Sequence, residues 1–457
     1  MVYEDTIAAI GSGLTASGIG IVRVSGADAV SIADTVFRPI GRPLALSRPY
    51  TIHYGHICDG EEVVDEVLAM LMKAPHSYTG EDVVEIQCHG GPFVMQKILS
   101  TVLTAGARLA EPGEFSKRAF LNGRIDLSQA EATMGLIQSQ NEFARKAAIA
   151  GLTGKFSAKI RSIRDRLLTE TAYLEAALDD PEHISLDGYG ERLEKTAGEC
   201  LADIYRLIEQ SDKGRVVADG IRTVIIGRPN VGKSSLLNML LGEERAIVTE
   251  IAGTTRDTLE ETMRLGDISL RLVDTAGIRE SDDAIERIGV MKAEEKAALA
   301  DLILYVVDGS EEYTEDEEKI RKLLEGQKAI VIINKSDLPQ KADKAEIEEK
   351  TGLSAVVISA TEETGREELE ERIRELFLTG QIAGGSDMML ANQRQKQSLA
   401  KAGESLKMVI NAINEGMPED LYTVDLMDAY TELGKITGES VEDDLADKIF
   451  SDFCMGK

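Results

Sequence analysis

The stretch GRPNVGKS, residues 227–234, contains the residue types that hold the phosphates of a nucleotide. It directly follows the β-branched run IRTVII and fits the pattern G-x-x-x-x-G-K-[ST]. Glycines let backbone N–H groups surround phosphates, Lys233 would reach the β- and γ-phosphates, and the Ser234 hydroxyl would bind Mg²⁺. The motif therefore predicts a phosphate-binding loop between a strand and a helix.

Two motifs further along the chain indicate a guanine nucleotide. The segment NKSD, Asn334–Asp337, follows the apolar run AIVII. The Asp337 carboxylate can accept from both N1–H and N2–H₂ of guanine, a donor pair that adenine does not offer. The segment ISA, residues 358–360, ends a further apolar run, and a backbone N–H there would meet guanine O6. These residues predict GTP rather than ATP.

Two intervening segments have residues suited to the γ-phosphate and the metal ion. In VDTAG, Asp274 would hold Mg²⁺ through water and the Gly277 N–H would contact the γ-phosphate. In AGTTRD, Thr254 and Thr255 would close over the phosphate and the metal. Five motifs in this order predict a GTPase domain. The residues predicted to contact GTP are Asn230, Val231, Gly232, Lys233, Ser234, Ser235, Thr249, Glu250, Ile251, Ala252, Gly253, Thr254, Thr255, Asp274, Thr275, Ala276, Gly277, Asn334, Lys335, Asp337, Ser359 and Ala360.

The motifs leave the catalytic group open. Many small GTPases have a water-orienting glutamine directly after the DxxG glycine, whereas this chain has Ile278, which cannot orient water. For Glu286 in DDAIERIG, spacing alone favours a solvated carboxylate over a catalytic one. Asn230 either caps a turn or supplies an oxygen to a monovalent cation beside the phosphates. Arg256 and Arg279 either act as arginine fingers or make local salt bridges.

The composition restricts the class of protein. The 457 residues allow two or three domains, and an apolar content of 43% is ordinary for globular proteins. The net charge of −29 is unfavourable for broad electrostatic binding to nucleic acid. The four cysteines lack CxxC spacing, which argues against a disulfide framework and a zinc site. With no signal-peptide pattern and no apolar run long enough to span a bilayer, we expect a cytoplasmic protein without membrane contact.

The pattern of apolar residues divides the chain into four segments. Residues 1–120 mix strand patterns, such as GIGIVRVSG and DVVEIQCHGG, with a helix at GPFVMQKILSTVLTAGA. Residues 121–218 have the three- and four-residue spacing of helix bundles. Residues 219–380 alternate β-branched runs with helices, which favours a mostly parallel sheet covered on both faces. Residues 381–457 are helical again, so we expect one helical domain with an α/β domain inserted into it.

Taken together, these segments resemble a known family. GRPNVGKSSLLN, IVTEIAGTTRD, DTAGIRE, ERIG, GIGIVRVSG, SYTGEDVVEIQCHGG, PGEFSKRAFLNGRIDLSQAEA and the terminal CMGK are similar to segments of the tRNA modification GTPase MnmE family, also called TrmE. The resemblance runs from the first strands to the last residue. It implies a multidomain α/β and all-α protein: an N-terminal α+β folate-binding domain, a discontinuous helical domain, and an inserted Ras-like P-loop GTPase domain.

The resemblance also implies a reaction and its partners. The family works with a flavin- and NADH-using partner, MnmG or GidA, in a heterotetramer. Together they add a carboxymethylaminomethyl or aminomethyl group to carbon 5 of the wobble uridine of certain tRNAs. The one-carbon unit comes from a 5-formyl or methylene tetrahydrofolate bound by the N-terminal domain, which also forms a constitutive homodimer. GTP and K⁺ bring the two GTPase domains together and activate hydrolysis.

Particular residues match positions with known roles in the family. Glu286 matches the catalytic glutamate that positions the attacking water through a second water, which reverses the expectation from spacing. The Mg²⁺ ligands match Ser234 and Thr255, and the K⁺ ligands match Asn230, Thr249, Ile251 and Thr254.

The folate contacts of the family match Arg23, Glu85 and Lys457, and Arg124 stands where a lysine is often found. An arginine fork is not equivalent to a lysine point charge, so this contact would differ in detail. Without the resemblance, Arg23 and Glu85 would equally fit local ion pairs. Cys454 belongs to the terminal C-x-G-K signature of the family, so the resemblance makes it a candidate functional thiol and replaces the interpretation of the tail as a frayed chain end. The tail also lacks the features of a lipidation motif or a metal site.

Two other functions compete with tRNA modification. An RNA-binding regulatory GTPase of ribosome assembly would share the isoleucine-type DxxG motif, but such proteins usually add a basic RNA-binding domain, and none is visible in this acidic chain. A folate-dependent transferase with a vestigial GTPase domain conflicts with the intact motifs. We expect the flavin partner to carry most of the tRNA binding, so that tRNA binds through the complex.

Overall fold

The computed structural model describes residues 5–242, 261–266, 268–272, 300–313, 317, 320–321, 324, 326–378, 391–439, 449–450, 453 and 456. The chain divides into two compact units. The first unit comprises residues 1–134, 152–202 and 397–457, and the second comprises residues 135–151 and 203–396. The four-segment division proposed above stays a prediction.

The first unit contains a seven-stranded sheet in the order β3-β4-β5-β6-β2-β1-β7. Its strands are β1 (Ile7–Ile10), β2 (Ser17–Ser25), β3 (Phe37–Pro39), β4 (Thr51–Asp59), β5 (Glu62–Met72), β6 (Val83–Gly90) and β7 (Arg108–Leu109). Helices α1 (Ala29–Val36) and α2 (Pro92–Thr104) pack against one face, where a buried apolar cluster includes Val24, Ile86 and Ile98. All neighbouring strands are antiparallel except β1 and β7, which are parallel.

The other described helices that belong wholly or partly to the first unit range from eight residues in the shortest to thirty in the longest. They are α3 (Glu114–Leu121), α4 (Leu127–Ile137), α6 (Lys155–Asp179), α7 (Tyr189–Ala218), α11 (Gln393–Asn414) and α12 (Asp420–Thr437). Helix α6 packs along α12, and the Arg164 guanidinium lies 4.1 Å from the centre of the Tyr430 ring. The division between the units falls within α4, α7 and α11, and also at the last residue of the helix Glu142–Leu152.

The second unit contains a six-stranded sheet in the order β13-β12-β11-β8-β10-β9. Its strands are β8 (Ile221–Ile226), β9 (Glu261–Leu265), β10 (Ile268–Leu272), β11 (Leu302–Asp308), β12 (Ala329–Asn334) and β13 (Ala355–Val357). Only β9 is antiparallel to its neighbour. The described helices that complete the unit are α5 (Glu142–Leu152), α8 (Lys233–Leu241), α9 (Lys344–Thr351) and α10 (Arg366–Leu378).

Strand β11 shows why this sheet is covered on both faces. Every residue of LILYVVD is buried. Because successive side chains of a strand point to opposite faces, Leu304 and Val306 enter one apolar cluster, while Ile303 and Tyr305 enter another. Helices α8 and α10 line the first cluster, and Ile347 of α9 lies in the second. This confirms the predicted doubly covered, mostly parallel sheet.

Most elements predicted from the sequence are confirmed. The predicted strands correspond to β2, β6, β8, β10, β11, β12 and β13, and residues 125–215 form helices without a strand. The long hairpin of β4 and β5 was not predicted. The stretch predicted to be helical, residues 381–457, lies partly outside the described residues. At its end, Phe450 and Phe453 are buried against Leu127, Ala130 and Met134.

Candidate functional sites: a nucleotide loop and an arginine–glutamate cleft

The phosphate-binding motif forms the turn between β8 and α8. Asn230 and Gly232 have left-handed backbones, with φ of 63° and 98°. A Cβ at Gly232 would lie 2.1 Å from the Asn334 amide nitrogen, so the loop requires glycine there. The Lys233 ammonium donates to the carbonyls of Gly227 at 3.0 Å and Arg228 at 2.6 Å. These two contacts hold the lysine head across the loop that would surround the phosphates.

One amide side chain connects this loop to the segments predicted to bind the base. Asn334 ends β12 and is almost fully buried. Its Nδ2 donates to the Val231 carbonyl at 2.9 Å, and its Oδ1 accepts from the Ala360 N–H at 3.1 Å. A further bond connects the segments that follow β12 and β13, because the Ser336 N–H donates to the Ile358 carbonyl at 3.0 Å. The carboxyl ends of β8, β12 and β13 are thereby fastened together, as expected for a ligand site in an open α/β sheet.

The predicted base-recognition carboxylate has a fixed orientation. Asp337 is exposed, and one of its oxygens accepts from the Ser359 hydroxyl at 2.6 Å. Ser359 is fully buried, and its oxygen also accepts from the Glu362 N–H at 3.2 Å. One Asp337 oxygen is therefore occupied by a buried hydroxyl. The predicted O6 donor, the Ala360 N–H, already donates to Asn334, so a guanine O6 would have to share it.

A second carboxylate holds the neighbouring lysine. Lys335 has φ of 66°, and its ammonium lies 2.5 Å from a carboxyl oxygen of Asp308 at the end of β11. The other Asp308 oxygen accepts from the N–H and hydroxyl of Ser310. Burial by itself would raise the pKa of the Asp308 carboxyl, but the hydrogen bonds from Lys335 and Ser310 and the charge of Lys335 outweigh it, so the pKa lies below its ordinary value.

The described part of the nucleotide site suits a phosphate group. Helix α8 begins at Lys233, and the Ser234 and Ser235 side chains at its amino end are exposed. Unpaired N–H groups at a helix start attract anions, and the Ser234 hydroxyl is suited to Mg²⁺. Across the described ranges, His, Cys, Asp and Glu form no cluster of three or more that could hold a metal ion by itself.

Many residues predicted for the nucleotide site, and two predicted for the tail, lie outside the described residues. They are Thr249, Glu250, Ile251, Ala252, Gly253, Thr254, Thr255, Asp274, Thr275, Ala276, Gly277, Glu286, Cys454 and Lys457, together with Arg256, Ile278 and Arg279. The assigned roles of these residues stay predictions.

A second site lies in the first unit, where the antiparallel register of β2 and β6 places Arg23 opposite Glu85. Two nitrogens of the Arg23 guanidinium contact the Glu85 carboxylate at 2.8 Å, and both side chains are largely buried. The remaining nitrogen donates to the Gly456 carbonyl at 3.0 Å. The predicted contact residues Arg23 and Glu85 therefore meet, and the end of the chain reaches them.

Gly456 fits this position only as glycine. Its φ is 83°, and a Cβ would lie 2.3 Å from the Ile10 carbonyl oxygen and 2.9 Å from the Gly11 Cα. The buried Phe453, three residues earlier, secures the segment that leads to it. Gly456 of the terminal motif is thus seated against β1 and beside Arg23.

Two aromatic rings flank Arg23: Tyr78, which is half-buried, and Phe115, which is fully buried. We call this group of residues the arginine–glutamate cleft: Arg23, Tyr78, Glu85, Phe115 and Arg124. The Arg23 guanidinium carbon lies 5.7 Å from the Tyr78 ring centre and 5.5 Å from that of Phe115. The Arg124 guanidinium carbon lies 5.6 Å from the same Tyr78 ring. Arg124 is exposed and makes no ion pair with any residue in the described ranges. The cleft thus offers one arginine without an ion-pair partner among the described residues, one paired arginine and one half-buried aromatic ring, Tyr78, whereas Phe115 is fully buried behind Arg23.

A buried charge network holds the turn that carries Tyr78. Arg118 of α3 is fully buried and donates to the Asp5 carbonyl at 2.8 Å and to the Glu81 carboxylate at 3.2 Å. The Asn122 side chain donates to the Thr79 carbonyl at 2.7 Å. Helix α3 and the turn at residues 77–82 therefore form one fastened assembly behind the cleft.

Sequence reasoning missed several of these residues. Asp308 and Tyr78 were not predicted for either site, and neither was the Phe115 ring. For Asp308 a signal existed, because its carboxylate ends a fully apolar strand directly before a glycine. For Tyr78 and Phe115 no local pattern distinguishes a ring in a cleft from a ring in the core.

Comparison with known proteins decides the family. The model described as "GTP-binding protein TrmE N-terminus" matches residues 6–124, and that described as "MnmE helical domain" matches residues 127–454. The chain is 50% identical over 455 residues to the tRNA modification GTPase MnmE of Lachnoclostridium phytofermentans, which covers 99% of each chain. The chain belongs to the MnmE (TrmE) family. The resemblance found in the sequence is thereby confirmed.

Other similarities differ in how much of the chain they cover. The MnmE of Clostridioides difficile is 43% identical over 463 residues, covering 100% of both chains. Among solved structures, the G domain of the T. maritima FeoB iron transporter is 26% identical, with a TM-score of 0.27, and covers 34% of this chain and 98% of that one. The similarity to MnmE proteins thus includes both candidate sites. None of the helices in the described ranges has the length and apolar composition needed to cross a membrane.

Proposed function

We propose that this member of the MnmE family is a potassium-activated GTP hydrolase that acts in tRNA modification. One observation carries the nucleotide part: Asn334 joins the phosphate loop at Val231 to the base segment at Ala360. Phosphate and base recognition are therefore built as one rigid unit. Asp337, oriented by Ser359, accepts the two guanine N–H donors and selects GTP.

The chain's own residues divide the work on the nucleotide. Lys233 and the N–H groups at the start of α8 bind the phosphates, and Ser234 and Thr255 hold Mg²⁺, which neutralises charge on the phosphates. Asn230, Thr249, Ile251 and Thr254 supply oxygens to K⁺, a fixed positive charge beside the transferred phosphoryl group. Glu286 orients the attacking water through a second water, because Ile278 cannot.

The arginine–glutamate cleft is the proposed folate site. Arg23, Glu85, Arg124 and Lys457 contact a 5-formyl or methylene tetrahydrofolate, and Cys454 acts in the tail beside it. The positive charges of the cleft and its half-buried Tyr78 ring suit a flat, anionic ligand. This site supplies the one-carbon unit for the aminomethyl-type group on carbon 5 of the wobble uridine.

The proposed assembly is a homodimer that works with the flavoprotein MnmG (GidA) in the cytoplasm. The domains follow the four segments 1–120, 121–218, 219–380 and 381–457. The flavoprotein carries most of the tRNA binding, because the net charge of this chain is −29. Tight tRNA binding by the isolated chain at physiological salt, with a steep salt dependence, would contradict that assignment.

The hydrolysis rate in different salts tests the proposal. The full-length chain should hydrolyse GTP but not ATP, and much faster in K⁺ than in Na⁺ at equal ionic strength. The Glu286→Ala variant should bind GTP normally and lose hydrolysis. Equal, slow rates in both salts would contradict potassium activation, and unchanged hydrolysis in Glu286→Ala would contradict the role of Glu286.

A further inference from the structure

Among the described residues, the Tyr78 ring lies beside both arginines of the arginine–glutamate cleft, which differ in their ion pairing. Arg23 is ion-paired with Glu85, whereas Arg124 makes no ion pair with a described residue. Their guanidinium carbons lie 5.7 Å and 5.6 Å from the same Tyr78 ring centre. A single aromatic ring thus lies beside the guanidinium groups of both arginines.

The Tyr78 ring is itself held firmly. Its hydroxyl is 2.7 Å from the hydroxyl of Ser116, which is fully buried in α3. Its ring packs against a buried cluster that includes Ile7 and Phe115. The ring is therefore fixed by an apolar contact and by a polar bond, and it does not depend on either arginine for its position.

A fixed aromatic face attracts a nearby guanidinium through the negative charge of its π system. For Arg23 this adds to the ion pair with Glu85 and the bond to Gly456. For Arg124 the Tyr78 ring is the only side-chain partner among the contacts described for that residue. The freedom of Arg124 is therefore restricted mainly by Tyr78.

We infer that Tyr78 is a positioning residue of the cleft: its ring sets the placement of Arg124, and to a lesser degree of Arg23, for an anionic ligand. This inference rests on the proposed folate function, and it adds a residue that acts through the arginines. Preorganising a flexible cation before binding lowers the entropy lost when the ligand arrives.

The test is equilibrium binding of 5-formyltetrahydrofolate to the full-length chain. Tyr78→Phe keeps the ring and should bind within about twofold of the unchanged protein, whereas Tyr78→Leu should bind about tenfold more weakly, the combined size of two modest cation–π contacts. Tyr173→Leu is the matched control, because it removes a ring 4.7 Å from the Arg192 guanidinium, away from the cleft. Its binding should be unchanged.

A double substitution separates positioning from direct contact. If Tyr78 acts through Arg124, combining Tyr78→Leu with Arg124→Met should weaken binding by less than the product of the single effects. Multiplicative losses, or equal binding by Tyr78→Leu and the unchanged protein, would overturn the positioning role while leaving the folate site intact. No binding by the unchanged protein would overturn the proposed folate function, and the inference with it.

Discussion

The two candidate sites of this chain are held together in different ways. The nucleotide site is fastened mainly by hydrogen bonds between polar side chains and main-chain groups of its loops, and one amide, Asn334, joins its phosphate and base segments. The arginine–glutamate cleft is fastened through charged side chains and rings, with Arg23 reaching Glu85 and the carbonyl of Gly456. The first depends on the conformation of short loops, and the second depends on distant segments meeting in one place.

This difference predicts which substitutions each site tolerates. Main-chain recognition survives most side-chain changes, but not the loss of the few side chains that face the ligand or fasten the loops. A site built from charged side chains is sensitive to the loss of each of them. It is also sensitive to the contacts that hold Gly456 against β1. The following predictions test this contrast, from the largest expected effect to the smallest.

Replacing Asp337 should damage the nucleotide site most. Asp337→Asn exchanges an acceptor for an amide that turns a donor toward the guanine N–H groups. The substitution would remove the two hydrogen bonds from guanine N1–H and N2–H₂ to the charged carboxylate, so GTP affinity should fall by roughly a thousandfold. Titration with a fluorescent guanine nucleotide measures this.

The same chemical change at Asp343 is the matched control. Asp343 caps α9 by accepting from the Ala345 N–H, and asparagine caps equally well. Asp343→Asn should leave affinity unchanged. Equal affinities for both variants would show that Asp337 does not face the base.

Displacing the end of the chain should affect only the cleft. In Gly456→Ala the new Cβ would meet the Ile10 carbonyl at 2.3 Å, on a backbone with φ of 83°. Strain of this kind costs of order 1–3 kcal/mol, so binding of 5-formyltetrahydrofolate should weaken by about tenfold while GTP hydrolysis stays normal. Equilibrium dialysis and a phosphate-release assay measure the two activities.

Gly416→Ala is the control for backbone strain alone. Gly416 has φ of 66°, but no atom lies within 4 Å of its Cβ position. It should therefore leave folate binding unchanged. If both variants bound folate equally well, the contact of Gly456 with Ile10 would have no part in the cleft.

Removing the hydroxyl that orients Asp337 should have a moderate effect. Ser359→Ala loses one hydrogen bond to a carboxylate, and GTP affinity should fall by about five- to tenfold. In the Asp337→Asn background the same change should have little further effect, because the two act as one unit. Independent losses in the double variant would contradict the orienting role.

Acid should weaken the Asp308–Lys335 connection. The folded-state pKa of Asp308 lies below its ordinary value of 3.8, so the unfolded chain binds the proton more readily. The stability from this group is fully present above that ordinary value and is lost as pH falls through the folded pKa. The free energies of unfolding in urea of the unchanged protein and of Asp308→Asn should differ most above the ordinary pKa of 3.8 and approach each other as the pH falls below it. A difference that did not depend on pH would contradict the assigned pKa shift.

The sequence predicted the nucleotide site more completely than the cleft for a physical reason. Phosphate and base recognition require particular residues at fixed spacing, so residues such as Gly232 and Asp337 can be recognised from the sequence motifs alone. The contact of Arg23 with Glu85 arises from the register between β2 and β6, which no local pattern encodes. Those residues were predicted only through the resemblance, and Tyr78 was not predicted.

The hairpin of β4 and β5 was missed for a related reason. One of its faces is open and mixes polar side chains with exposed Ile52, Tyr54 and Leu68. The alternation of apolar and polar residues that marks a half-buried strand is therefore weak. Strands of the second unit such as β11 and β12 are almost entirely apolar because both faces are covered, and their runs were recognised, whereas β9, with the sequence ETMRL, was not predicted.

The central claim is that this chain acts in the modification of tRNA wobble uridines. Mass spectrometry of tRNA nucleosides from cells that lack the chain tests it most directly. We predict that the aminomethyl-type groups on carbon 5 disappear, return with the unchanged gene, and do not return with a gene lacking the last four codons. Wobble uridines that kept these groups without the chain would contradict the account.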